Sequence, residues 1–382
     1  MAETADPSQP VLAEAKPAFT PIISQPRVTS ASRDAFSPAK HLAFDQMPNV
    51  HTMKELGFSE TIGVSPVAVS EPFRLFTEEA VMRMRQEVLS PEVFEHCQYS
   101  SNLAQCYLRG FANRYAPFVY DVWKNPETLA IVSKIAGIDL VPEMDLEIAH
   151  INISVKSEEE KREELEAVAE RANYEADEGI GGCPWEDDKP IVGWHTDSYP
   201  FVCVTMLSDC TDMVGGETAL RTGNGDIMKV RGPQMGCAVV LQGRYIEHQA
   251  LRTLGTTERI TMVTSFRPRS PLARDDTVLT TVRPISDIND LYNQFAEYRL
   301  QMLEERIRLQ LKEIHDLSAA GRRVPTKKLK YFFREQEDFL AHMNREMVED
   351  EDVTVGNIQQ DIQQDHVTPT TSSESRKRPR LV

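Results

Sequence analysis

In Gly193-Trp194-His195-Thr196-Asp197 an imidazole and a carboxylate stand two residues apart, the spacing that puts side chains on one face of a strand. An acid and a histidine so placed make two of the three protein ligands of the facial arrangement in which iron(II) keeps positions open for an organic co-substrate and oxygen. His248, in Tyr245-Ile246-Glu247-His248-Gln249 after the turn at Gln242-Gly243, is the candidate third ligand. A His-x-Asp pair alone is common on protein surfaces and gains meaning only from its company. Arg259 and Thr261 alternate on a run that continues to Val263, so guanidinium and hydroxyl share a side. Together they can hold a carboxylate by a two-pronged charge-assisted bond with one more donor beside it. The plainer reading is an arginine at a strand start paired with a neighbouring acid.

Such residues need strands to carry them, and the surrounding sequence supplies the pattern. Apolar, β-branched runs recur over 191–197, 201–208, 217–221, 226–231, 237–241, 245–253 and 259–267. Glycine turns part them at Gly215-Gly216, Gly223-Asn224-Gly225, Gly232-Pro233, Gly243 and Gly255. An earlier alternating run has Leu146, Ile148, His150, Asn152 and Ser154 on one face and Ile151, Ile153 and Val155 on the other, which makes eight strands. No helix-length pattern lies between consecutive strands of the main group. The fold class expected is therefore a mainly β core, a two-sheet jelly roll, with flanking N- and C-terminal helices rather than an α/β fold.

The flanks read as helices. Thr77 is placed to cap a helix through Ala80, Met84 and Val88, and a second helical stretch from Pro117 ends at Gly137. Near the other end, Leu291, Phe295, Tyr298 and Met302 form one face with Arg299, Glu304, Glu305 and Arg306 on the other, and a further helix runs from Thr326 past Met343. The resulting division is a disordered arm (1–45), a linker and helical layer (46–137), the β core (138–270) with a charged insertion (157–190), C-terminal helices (271–345) and a disordered tail (346–382). The insertion is expected to be a mobile lid, with Gly179, Gly181 and Gly182 as hinges before Trp185.

A formal charge of -17 and a pI near 5.1 exclude a general nucleic-acid binder, which needs clustered cations on one face. Six cysteines without a CxxC pair read as reduced thiols of an intracellular protein, with Cys203, Cys210 and Cys237 packing as small hydrophobes. No apolar run is long enough to span a bilayer, so no membrane association is expected. The location expected is cytoplasmic, with nuclear import through Arg376-Lys377-Arg378-Pro379-Arg380 as the alternative. His41, His51, His315, His342 and His366 read as surface or capping residues, and Trp185 and Trp194 as either pocket or core.

Taken in order, His195-x-Asp197, Gly215-Gly216-Glu217-Thr218, Gly243 shortly before His248, and Arg259-x-Thr261 resemble the iron(II) and 2-oxoglutarate-dependent dioxygenase superfamily, in its prolyl-hydroxylase-like branch. The resemblance covers residues 144–268. It implies a double-stranded β-helix, Fe(II) held by His195, Asp197 and His248, and 2-oxoglutarate held at its far carboxylate by Arg259 and Thr261. Many members have serine at the Thr261 position, and a tyrosine or asparagine on the first strand often touches the co-substrate; here Asn152 or His150 is available for that role, and Asn152 is the candidate. The implied reaction uses O2, converts the 2-oxo acid to succinate and oxidises a C–H bond, by hydroxylation or by desaturation or ring closure. A small-molecule substrate is expected. The rival readings are a non-catalytic jelly-roll interaction protein and a hydroxylase of a protein or nuclear substrate.

Overall fold

The computed structural model describes residues 35–59, 61–166, 191–211, 213–230 and 234–358. Most of the expected arm, the insertion from 167 to 190 with its glycines and Trp185, and the basic C-terminal cluster with His366 lie outside the described residues.

Two antiparallel sheets carry the site. The larger runs in the order Val50–Thr52, Val67–Ser70, Cys237–Leu241, Phe201–Met206, Glu258–Pro268, His150–Val155, Tyr107–Leu108 and Gln98–Tyr99. The smaller runs Ile227–Val230, Thr218–Arg221, His248–Ala250 and Val192–His195. In chain order the strands from His150 onward pass back and forth between the two sheets. A short ladder of Val214–Gly215 on Thr253–Leu254 lies beside them.

Period two decides which side chains face the gap between the sheets. On the larger sheet Ile151, Ile153, Cys203, Ile260, Met262 and Phe266 pack into the cluster that holds Met84, Val88, Val119, Trp123 and Ile135 of the helical layer. Their neighbours His150, Asn152, Val202, Val204, Arg259, Thr261 and Val263 line a cavity on the opposite face. Val69, Val202 and Leu241 of that sheet meet Leu220 and Val230 of the smaller one, which closes the gap around the cavity. A slip of one residue would bury the polar set among the helices and turn the apolar set into the cavity, so core burial and site geometry fix the same register.

The helical layer comprises Glu78–Val88, Pro91–Cys97, Ala112–Tyr115, Pro117–Lys124 and Pro126–Ala136. Thr77 caps the first, its hydroxyl accepting from Ala80 N–H, and Gly137 ends the last at φ 69. Four sequence expectations need correction. The first strand begins at His150 rather than Leu146, because Asp145–Glu147 forms a 3-10 turn and Ala149 sits at φ 64. That left-handed alanine, its N–H donating to Thr264 Oγ1 at 3.0 Å, turns the chain between Glu147 and the strand. The stretch expected to be wholly helical also contributes Gln98–Tyr99 and Tyr107–Leu108 to the sheet edge. Arg299 and Arg306, expected on the outer face of the helix Ile288–Ala319, are buried, because Asp275 and the ring of Phe339 wait for them inside. Within the expected arm, Pro38–His41 is a helical turn whose His41 is buried against Phe36 and Phe118 while its Nδ1 accepts from Ser37 N–H.

Candidate metal centre and cavity

His195 ends one strand of the smaller sheet, His248 begins its neighbour, and the two are register partners. Asp197 follows two residues after His195, its N–H donating to Gly243 O at 2.9 Å. One ligating atom from each of the three residues lies within 4.8 Å of the others. His195 Nε2 stands 3.6 Å from Asp197 Oδ1 and His248 Nε2 3.5 Å from Oδ2.

Donor and acceptor rules fix the imidazoles. His195 Nδ1 is 2.7 Å from Gly193 O and His248 Nδ1 2.9 Å from Ile246 O. A carbonyl can only accept, so each Nδ1 carries the proton and each Nε2 presents a lone pair toward Asp197. This is how backbone carbonyls orient metal-binding histidines. Burial raises the Asp197 carboxyl, but the His248 and His195 imidazoles beside it together outweigh burial and the net shift is downward, so the acid is ionised. Burial lowers the His195 ring, yet Asp197 more than compensates and its pKa ends raised; for His248 burial wins and the shift is downward.

Two features fit a metal ion at this point. Asp197 Oδ2 is buried and makes no hydrogen bond, an uncompensated cost that a cation would remove. A Cβ on Gly243 would stand 2.6 Å from Asp197 Cγ and overlap Oδ2, so only glycine leaves the carboxylate its place.

Arg259 lies on the same cavity wall, 7% exposed, with Nε buried and unbonded. It makes no ion pair among the described residues. Its neighbour Glu258 is taken instead by Arg85 at 2.9 Å, which removes the plainer reading of a strand-start ion pair. Burial pulls the Arg259 guanidinium down to about 10, still charged at neutral pH. The other nearby arginines are occupied: Arg252 pairs with Glu164, and Arg244 donates to Asp276 O at 3.1 Å. Thr261 and Asn152 are register partners across the sheet, so hydroxyl and amide stand side by side on the cavity wall. The cavity measures about 210 Å³. Apart from these groups its wall is largely apolar, with Val69, Val204, Met206, Val239 and Leu241 prominent.

A polar cluster at the same cavity was not anticipated from sequence. Arg109 donates twice to Glu147, Tyr199 O–H donates to the same carboxylate, and Arg109 Nη1 lies 3.2 Å from His150 Nδ1. An arginine in the apolar run Cys106 to Phe111 and a glutamate just before the first strand were its only sequence signals. Trp194 does not line this cavity; its ring carries the Arg221 guanidinium at 4.7 Å. Cys203, Cys210 and Cys237 are free and buried as expected, with burial pushing the first two thiols up to about 12 and about 11.

No family model matches the sequence, and no curated protein matches it. Among solved structures the chain is similar to an oxidoreductase of the 2OG-Fe(II) oxygenase family from Burkholderia pseudomallei, at 13% identity and TM-score 0.28 over 43% of this chain and 60% of that one. It is also similar to a prolyl-4-hydroxylase from Pseudomonas putida, at 14% identity and TM-score 0.32 over 57% of this chain and 97% of that one. A third similarity is to the prolyl 4-hydroxylases of Phytophthora capsici, at 13% identity and TM-score 0.33, covering 73% and 86% respectively. These likenesses are distant, and the chain spans less than two thirds of the Burkholderia protein. 2OG-Fe(II) oxygenases and prolyl 4-hydroxylases are thus among the solved structures to which this chain is similar.

Proposed function

We propose that this protein is an iron(II)- and 2-oxoglutarate-dependent dioxygenase on a double-stranded β-helix core, acting on a small molecule. The observation that carries the reading is one cavity walled by a clustered His-Asp-His set and by a buried arginine with no acid partner among the described residues. The back-and-forth passage of strands between two facing sheets supports the jelly-roll assignment. Three protein ligands among the described residues favour a catalytic over a structural metal, which is normally closed by four.

His195 and His248 Nε2 and the Asp197 carboxylate would hold the iron, which when bound supplies open positions for the co-substrate and the oxidising chemistry with O2. Arg259 binds the far carboxylate of the 2-oxo acid in a two-pronged bond, and Thr261 adds a hydroxyl donor. Asn152, opposite Thr261 on the neighbouring strand, orients the rest of that molecule. The valine, leucine and methionine lining excludes water and accepts the apolar part of the substrate. A cavity of about 210 Å³ favours a small substrate over a protein or nucleic acid.

Anaerobic addition of Fe(II) and then 2-oxoglutarate should raise a visible charge-transfer absorption. His195→Ala, Asp197→Ala or His248→Ala should abolish it. Arg259→Ala should weaken 2-oxoglutarate binding by roughly 2 to 5 kcal/mol, as when one partner of a desolvated charge pair is removed. Arg259→Lys should recover part of the loss, since the planar fork is gone. Absence of the absorption in wild-type protein, or its survival in all three ligand variants, would sink the assignment.

A further inference from the structure

The cluster around Arg109 has no part in holding iron, yet its donors and acceptors can be followed atom by atom to the co-substrate wall. Arg109 is 2% exposed and sits just after the short strand Tyr107–Leu108. Both its terminal nitrogens donate to Glu147, and Nε donates to Ser286 Oγ at 2.8 Å. Tyr199 O–H fills a further position on the Glu147 carboxylate, so the guanidinium is held on several sides. One contact is left, the 3.2 Å approach of Nη1 to His150 Nδ1.

A guanidinium has donors only, so His150 Nδ1 must accept and the ring proton must sit on Nε2. That Nε2 lies 3.2 Å from Asn152 Oδ1, which must therefore accept. The direction of the Asn152 amide, ordinarily ambiguous, is thereby fixed by chemistry: oxygen toward His150, NH2 away from it. The NH2 finds no acceptor among the described residues, and Asn152 lines the cavity as the register partner of Thr261. A flipped amide would set NH2 against an imidazole N–H, donor facing donor.

We propose that Arg109 is a positioning residue that acts through His150 to lock the Asn152 amide with its NH2 toward the cavity, where it donates to an oxygen of the bound 2-oxo acid. The proposal rests on the dioxygenase reading above. It makes the co-substrate wall a set of three donors, Arg259, Thr261 and Asn152, matched to a ligand that brings only acceptors. The environment keeps the relay in one state: burial first, then the Arg109 charge, drive the His150 pKa down to about 3, so the ring stays neutral with one donor and one acceptor.

Imidazole nitrogen NMR on metal-free, full-length protein reads the relay directly. Wild type should show His150 neutral with the proton on Nε2. Arg109→Met alone strands a buried Glu147 and is expected to fold poorly, so the informative variant is the double change Arg109→Met with Glu147→Gln, in which the Nδ1–H form should appear. In parallel, anaerobic titration of 2-oxoglutarate into the Fe(II) protein should give a Kd raised about tenfold or more in Asn152→Leu, three- to tenfold in His150→Phe, and three- to tenfold in the double variant. The Kd for Fe(II) alone should stay within about twofold in all of them, which separates positioning from general disruption. A His150 proton on Nδ1 in wild type would overturn the relay, as would an unchanged 2-oxoglutarate Kd in His150→Phe. Complete loss of the charge-transfer absorption from wild type would defeat the dioxygenase reading instead, and a correct tautomer would then leave the Arg109 to Asn152 lock standing without its proposed ligand.

Discussion

Gly243 is the residue on which the metal geometry turns. Its carbonyl receives the Asp197 N–H while its missing side chain leaves room for the Asp197 carboxylate, so the residue both anchors and admits the acid. Its φ lies outside the left-handed region, so the need for glycine here is one of space rather than backbone conformation. Gly243→Ala should therefore weaken Fe(II) binding by an order of magnitude or more, because Asp197 must swing aside, while the melting temperature changes little. Competition against a chelator under anaerobic conditions measures it; unaltered iron affinity would show that Asp197 is not a ligand from this position. At this scale the sequence was readable wherever period two applied. Arg259 and Thr261 line one wall of the cavity, whereas Asp197 lies two residues beyond the end of the strand that carries His195 and reaches the same place from a loop. Arg109, Glu147 and Tyr199 escaped notice because each comes from a different segment and no local spacing ties them together.

Glycine-parted runs located the strands to within a few residues, since turns need backbone freedom and strand interiors need β-branched mass. What the pattern could not reveal were elements whose partners lie far along the chain. The two-residue strand Tyr107–Leu108 exists only because His150–Val155 offers it an edge. The segment around Ile358 is a stronger case, for it has no intrinsic pattern and is tied down by Asn102 from far along the chain. Asn102 Nδ2 donates to Ile358 O at 3.1 Å and Asn102 Oδ1 accepts from Ile358 N–H at 2.9 Å, the exchange a strand partner would make. Asn102 N–H donates to Gly356 O, and Gly356 N–H to Pro284 O. Ile358 thereby packs on Tyr107 and Ile285 and contributes to the cavity wall. Asn102→Ala removes both side-chain bonds, worth about 1 to 3 kcal/mol together. Amide exchange at Ile358 should accelerate about tenfold to a hundredfold while the protection of Phe201–Met206 stays as it was. Equal protection of Ile358 in variant and wild type would mean that packing alone holds the segment.

Across the whole molecule, the C-terminal helices dock on the β core through a buried ionic cluster that the sequence disguised as an exposed charged face. Asp275 pairs with Arg299 of the helix Ile288–Ala319 at 2.9 Å, both fully enclosed, and Tyr298 O–H donates to the same carboxylate at 3.1 Å. Arg299 lies over the Phe339 ring of the second long helix at 3.8 Å, so one cation ties both helices to the core. Helical periodicity put Arg299 opposite the apolar stripe, and only the partner Asp275, from a loop, reverses that reading. Beside this pair sits Glu143, 1% exposed, with one oxygen accepting from Thr277 Oγ1 at 3.1 Å and the other unbonded. Burial first, then the Asp275 charge, push the Glu143 carboxyl up to about 8, whereas at Asp275 burial is outweighed by Arg299 and the Thr277 hydrogen bonds together, which hold that group down. The folded protein thus keeps Glu143 protonated where the unfolded chain, with an ordinary carboxyl near 4.5, has released the proton. Stability from this group is present in full below pH 4.5, falls as pH rises through the interval, and is gone above about 8. Glu143→Gln keeps the shape and cannot ionise. Its urea-unfolding free energy should accordingly gain on that of wild type as pH rises from 5 to 9, by on the order of a few kcal/mol across the range. Parallel pH profiles for the two proteins would show that Glu143 is charged in the folded state, with its cost already met by Arg267.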